Sequence, residues 1–146
     1  MNLADYLTLV AAVCGVMLGV LNTMKLYFDD RPRLKVLVNP IVATLGSQFS
    51  HYKISATIRN LSKFPMTVEG TNFINNNREQ LIPQDYRVYY RGELNSFPIE
   101  LPPRTSLLIL YPNPNDEAPS AGFEHVVVRT QCGHTASGTC RILRET

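Results

Sequence analysis

Tryptophan is absent, and cysteine occurs three times. One cysteine, Cys14, lies inside an apolar run, which leaves two for the rest of the chain and excludes a disulfide-built scaffold. An excess of one charge is also missing: the formal net charge is +2. One Lys and one Asp fall in the first 28 residues, so residues 29–146 hold 13 Lys/Arg against 11 Asp/Glu. A globally basic nucleic-acid binder carries more, and no nucleic acid is expected as a partner. No nucleophile elbow, phosphate loop, HExxH or dinucleotide fingerprint occurs. The carboxylates Glu69, Glu79, Asp85, Glu93, Glu100, Asp116, Glu117 and Glu124 are scattered, and no histidine has a Ser or Cys partner that the sequence alone would pair with it. Catalysis, a cofactor and a small-molecule substrate are therefore not expected.

The clearest positive feature is the start of the chain. Tyr6 to Met24 are 19 residues without a formal charge. As a helix they span roughly 28 Å, close to the ~30 Å hydrocarbon core of a bilayer. A buried helix of a soluble domain keeps a polar stripe, which this run lacks. A cleaved signal needs a basic start and a small-residue cleavage site. Here Asp5 precedes the run, and "NTMKLYFDDRPR" follows it. An uncleaved single span over residues 1–28 is expected, with a juxtamembrane linker at 29–35 and a β-domain over 33–146. Lys25, Arg31, Arg33 and Lys35 come after the run and no cation comes before it. Cationic flanks stay in the cytoplasm, which predicts the amino terminus outside and the β-domain cytoplasmic. Tyr27 and Phe28 sit where amphipathic rings settle at the interface, beside Lys25, Arg31 and Arg33. Pro32 ends the helix.

Within "AAVCGVMLGVLNT", Ala11, Gly15, Gly19 and Thr23 recur every four residues and form one stripe of a helix. Small side chains let two backbones approach closely in lipid. The stripe is expected to pack against another membrane helix, of a second copy or of a different protein.

After Pro32 the pattern changes to short alternating segments. Strands are read at 33–44, 51–60, 66–74, 86–91, 105–112, 125–132 and 138–143, separated by Pro/Gly/Asn-rich turns. Residues 76–104 hold Pro83 and Pro98 and support edge strands or loops at best. Seven short strands without a second helix predict an antiparallel β-sandwich, with a small β-barrel as the alternative. Ile54, Ile58, Val68, Leu108, Leu110 and Val127 are the expected core. "ISATIRNLSKFPMTVEGTNF" resembles the corner between sheets in immunoglobulin-like domains, and "FPIELPPRTSLLIL" is similar to the proline-led entry to a later strand. The resemblance is architectural, because the Cys–Trp–Cys signature is absent.

Two constellations remain. In "QCGHTASGTC", equal offsets about Ala136 place Cys132 opposite Cys140 in a hairpin. Free thiols are expected in the cytoplasm. A cross-strand disulfide and a zinc site using Cys132, His134 and Cys140 are the alternatives, with metal not expected for want of a fourth ligand. In "DYRVYYRGE", Arg87, Tyr89 and Arg91 fall on one face of a strand. Arg and Tyr are favoured at protein interfaces, which makes these residues a candidate partner surface. The expectation is a membrane-anchored binding or adaptor module, an accessory subunit or modulator of a membrane assembly, bacterial or phage by its size and layout. A structural envelope protein with an extracytoplasmic domain is one rival. An enzyme or metal protein built on the Cys/His hairpin is the other.

Overall fold

A computed structural model describes residues 2–41, 51–117 and 122–139. The chain divides into two compact units, Met1–Arg31 and Pro32–Thr146.

The first unit is helix α1, Leu3–Asp29. At ~1.5 Å per residue it is about 40 Å long. Asp5 Oδ2 accepts the Asn2 backbone N–H at 2.9 Å, which caps the first turn with a negative charge where the helix dipole favours one. Thr8 and Thr23 donate their hydroxyls back to the Ala4 and Gly19 carbonyls, at 2.8 and 2.9 Å. These bonds satisfy the two threonine hydroxyls within the helix itself. Among the described residues α1 is the one helix long and apolar enough to cross a membrane.

Among the described residues the second unit holds ten strands: β1 Leu34–Pro40, β2 Ile54–Asn60, β3 Met66–Asn75, β4 Gln80–Leu81, β5 Arg87–Tyr90, β6 Glu93–Asn95, β7 Ile99–Leu101, β8 Ser106–Tyr111, β9 Phe123–Thr130 and β10 Thr135–Thr139. A one-turn helix, α2, spans Pro114–Glu117. The strands form two antiparallel sheets. One runs β1-β2-β8-β5-β6; the other runs β10-β9-β3-β4, with β7 also on β3. Neither closes into a barrel among the described residues. The three strands β4, β6 and β7 lie within 76–104. They are two or three residues long and take their register from longer neighbours.

One core joins the sheets. Ile54, Ala56, Ile58, Leu107, Ile109 and Tyr111 face Val68, Phe73, Leu101, Val126 and Val128. Phe73 and Tyr111 meet edge to face at 5.0 Å between centroids. The Tyr111 hydroxyl donates to Thr71 Oγ1, and burial pushes its phenol above the ordinary tyrosine range. Ile54, Ile58 and Val68 are buried in this core, as expected; Leu110 is buried too, but on the outward side of β8 and outside the core cluster. Leu108 and Val127 are not the core residues of their strands. The inward side chains are Leu107, Ile109, Val126 and Val128, and Leu108 is 37% exposed. Runs such as Leu107–Leu110 and Val126–Val128 are apolar at every position, so alternation cannot say which set turns inward.

Two backbone devices shape this unit. Glu69 is an extra residue on β3 between Val68, which faces Thr130, and Gly70, which faces Arg129. The bulge shifts the inward set from Met66 and Val68 to Thr71 and Phe73. At the edge where the sheets meet, Gly138 of β10 passes close to β1. A Cβ there would lie 2.8 Å from the Val36 carbonyl oxygen and 2.9 Å from side-chain carbons of Val36 and Val38.

The corner after β2 is built on Asn60, which is fully buried. Its Nδ2 donates to the carbonyls of Phe64 and Leu101, both at 2.9 Å, and its Oδ1 accepts the Ser62 N–H at 2.8 Å. The bonds to Phe64 and Ser62 close the turn, and the bond to Leu101 ties it to the far sheet.

The final hairpin corrects the sequence reading. Thr135 pairs with Arg129 and Thr139 with His125, so the turn is 131–134 and not around Ala136. Gly133, at φ +79°, supplies the left-handed residue that this turn needs. Cys132 therefore sits in the turn and faces no strand residue across the ladder; Cys140 lies outside the described residues.

Candidate functional site

The outward face of the first sheet carries a row of side chains that crosses all five strands. Leu37 pairs with Thr57, Thr57 with Leu108, Leu108 with Tyr89, and Tyr89 with Leu94. Residues in register on one face lie about 5 Å apart between neighbouring strands. Leu37 is 44% exposed, Leu94 64%, and Leu108 as stated above, so the row is open to solvent. Thr57 and Tyr89, between these leucines, are half-buried, and three exposed leucines aligned on one sheet face make a candidate contact surface.

Cations flank the row on both sides. Lys35 pairs with Arg59 and Arg59 with Ser106 in the next row toward the start of β1. In the row on the other side, Asn39, Ser55, Leu110 and Arg87 follow one another. The three rows hold Lys35, Arg59 and Arg87 and no carboxylate. Arg87 lies 5.6 Å from the centre of the Tyr52 ring. Its hydrogen bond to the Tyr89 side chain, and then the neighbouring Tyr52, hold its charge above the ordinary arginine range. Tyr52 in turn meets His51 edge to face, and His51 Nε2 lies 2.9 Å from Asp85 Oδ2. Residues 51 and 85 are distant in sequence, so nothing in the local pattern pairs them.

The expected trio Arg87, Tyr89 and Arg91 is only partly one face. Arg87 and Tyr89 point outward around the buried Val88. Arg91 leaves the strand: with Gly92 it forms the two-residue loop between β5 and β6, at φ 55° and 83°. Two successive positive φ values are the mark of a hairpin turn matched to strand twist.

On α1, Ala11, Gly15, Gly19 and Thr23 are all exposed, and a Cβ added at Gly15 or Gly19 would meet no atom within 4 Å. At the other end of this unit, Arg31 stacks over Tyr27 at 4.6 Å and Phe28 at 5.1 Å, and the two rings meet edge to face. A cation held on two aromatic rings suits the bilayer interface. Lys25, before this group in the sequence, and Arg33, after it, are both exposed.

In the β9–β10 turn, Thr130 Oγ1 lies 3.2 Å from Cys132 Sγ and 2.7 Å from the His134 carbonyl. The Thr130 hydroxyl beside the sulfur, and then the His134 backbone, hold the Cys132 thiol below its ordinary value. Among the described residues no three His, Cys, Asp or Glu side chains group as metal ligands. No protein-family model matches the chain, and no curated protein matches it significantly.

Proposed function

We propose that the chain is a single-span membrane protein whose second unit is a binding module without catalysis of its own, an accessory subunit or modulator of a membrane assembly. The observation that carries this reading is the exposed row Leu37–Thr57–Leu108–Tyr89–Leu94, on a domain covalently joined to a helix of membrane-spanning length. Tethering to a bilayer raises the effective concentration of that face for a membrane-bound partner. The three flanking cations favour a partner with an apolar stripe edged by carboxylates. They disfavour the same face of a second copy, where like charges would oppose one another. The small-residue stripe of α1 supplies a second contact within the membrane, to a partner's helix or its own.

The cationic residues after α1 support an external amino terminus and a cytoplasmic domain. Two antiparallel sheets around one core support an immunoglobulin-like sandwich, with the Phe73–Tyr111 pair at its centre in place of a disulfide and tryptophan. The test is a Leu37→Glu/Leu108→Glu variant of the full chain, purified from membranes in mild detergent. A membrane protein that co-purifies with the wild type should fall at least tenfold in yield, with the melting temperature unchanged. Full retention of every co-purified protein removes the face from the proposal.

A further inference from the structure

The loops at one end of the two-sheet unit are stitched together by backbone bonds. Leu61 N–H donates to the Arg33 carbonyl at 2.8 Å, Arg104 N–H to the Asn60 carbonyl at 2.9 Å, and Asn60 N–H to the Thr105 carbonyl at 3.0 Å. The β5–β6 loop belongs to the same end, because Tyr89 pairs with Leu108 and β8 starts two residues earlier, at Ser106. This end presents exposed Arg33, Lys63, Arg91 and Arg104, with the apolar Leu61 among them at 46% exposure. Its carboxylates are Glu93, next to the Arg91 loop, and Glu100 on β7, so the four cations outnumber them two to one. The loops of the opposite end carry Glu79, Asp85 and Asp116 with Lys53 and Arg78.

Two of these cations stand where arginine is a poor backbone choice. Arg91 has φ 55° and Arg104 φ 60°. Gly or Asn holds that conformation with less strain. Arg78, at the opposite end, has φ 65° as well, so the conformation alone does not set this end apart; the gathering of four cations around the exposed Leu61 does. Chain connectivity limits how far the start of β1 can lie from the end of α1. Asp30–Arg33 are the four residues between α1 and β1, and they reach at most roughly 14 Å. The cationic end is the one at which β1 begins.

We infer that these loops seat on anionic lipid headgroups of the leaflet from which α1 emerges, with Arg91 and Arg104 as the principal contacts and Leu61 at the headgroup boundary. The inference rests on the membrane reading of α1. An Arg or Lys near an anionic surface contributes about fivefold to the docking equilibrium, so Arg91 and Arg104 together contribute about thirtyfold. The cytoplasmic leaflet, the expected side, is the anionic one.

The chain has no tryptophan, so Leu61→Trp gives a unique reporter. The full chain carrying it is reconstituted into phosphatidylcholine vesicles with or without phosphatidylglycerol, and quenching by headgroup spin-labelled lipid is read. Quenching should at least double in the anionic vesicles and return to the neutral level in 0.5 M salt. It should also be lost on adding Arg91→Asn and Arg104→Asn, which suit the left-handed backbone and leave the fold intact by circular dichroism. Co-flotation after a carbonate wash separates the two claims. A chain that fails to float overturns the membrane reading and this proposal with it. A chain that floats but is quenched equally in both vesicles overturns the lipid contact alone, and leaves the cationic end to an acidic protein. Quenching that survives both Asn substitutions also overturns it.

Discussion

Gly138→Ala tests how closely the two sheets approach at their shared edge. The added Cβ would sit 2.8 Å from the Val36 carbonyl oxygen and 2.9 Å from carbons of Val36 and Val38. Ordinary contacts to carbon begin near 3.5 Å, so β1 and β10 must part by several tenths of an ångström. The obstacle includes backbone of a strand paired along its whole length to β2, which cannot swing aside as a side-chain tip would. Forcing a methyl into a packed site costs about 1–3 kcal/mol. Reduced freedom of the unfolded chain returns about 0.4–1 kcal/mol. The net expectation is a loss of about 1–2 kcal/mol, or roughly 4–8 °C in melting temperature for a domain of this size. Gly70→Ala is the matched control: its Cβ would meet nothing within 4 Å, and it should be neutral or slightly stabilising. The assay is urea unfolding followed by far-UV circular dichroism on residues 32–146, which form a compact unit. If Gly138→Ala is as stable as Gly70→Ala, the close approach of the sheet edges is wrong.

Other perturbations follow from single residues. Asn60→Ala should cost about 3 kcal/mol, because two buried partners and one half-buried one lose their bonds at once. Asn60→Asp should be no better, since a carboxylate accepts where two donors are needed; thermal melts of both decide it. Tyr111 stays neutral in the folded state to higher pH than in the unfolded state. Its contribution is therefore complete below about pH 10 and is lost as pH rises beyond it. Tyr111→Phe should cost about 1–2 kcal/mol at pH 7 and flatten the alkaline limb of a stability-against-pH curve; an unchanged limb contradicts the burial argument. Gly15→Ile and Gly19→Ile should weaken association in a membrane two-hybrid assay, whereas Val16→Ile and Val20→Ile should not. Equal behaviour of all four makes α1 a passive anchor.

The parts legible in the sequence are those in which one local pattern decides. An uncharged run of 19 residues reads as a helix whatever follows it. Alternation in "HYKISATIRN" is clean enough to turn Ile54 and Ile58 inward. Where every position is apolar, as at Leu107–Leu110, period two offers two equal answers, and packing against Phe73 chooses between them. The bulge at Glu69 and the turn at 131–134 each move a register by an amount that no composition signal encodes. The short strands in 76–104 exist because longer neighbours template them. Arg91 read as a strand residue because arginine gives no sign of a positive φ. The exposed row of the first sheet was invisible for a different reason: its five members come from five strands, and only the register aligns them.

Photo-crosslinking in native membranes addresses the binding face most directly. A photoreactive residue is placed at Leu108, in the middle of the row, or at Ser137, an exposed position on the outer face of the other sheet. Position 108 should give one discrete adduct with a membrane protein, weakened by Arg59→Glu and Arg87→Glu, while position 137 gives none. Adducts of equal yield from both positions, or from 137 alone, would contradict a partner surface on the Leu37–Leu94 row.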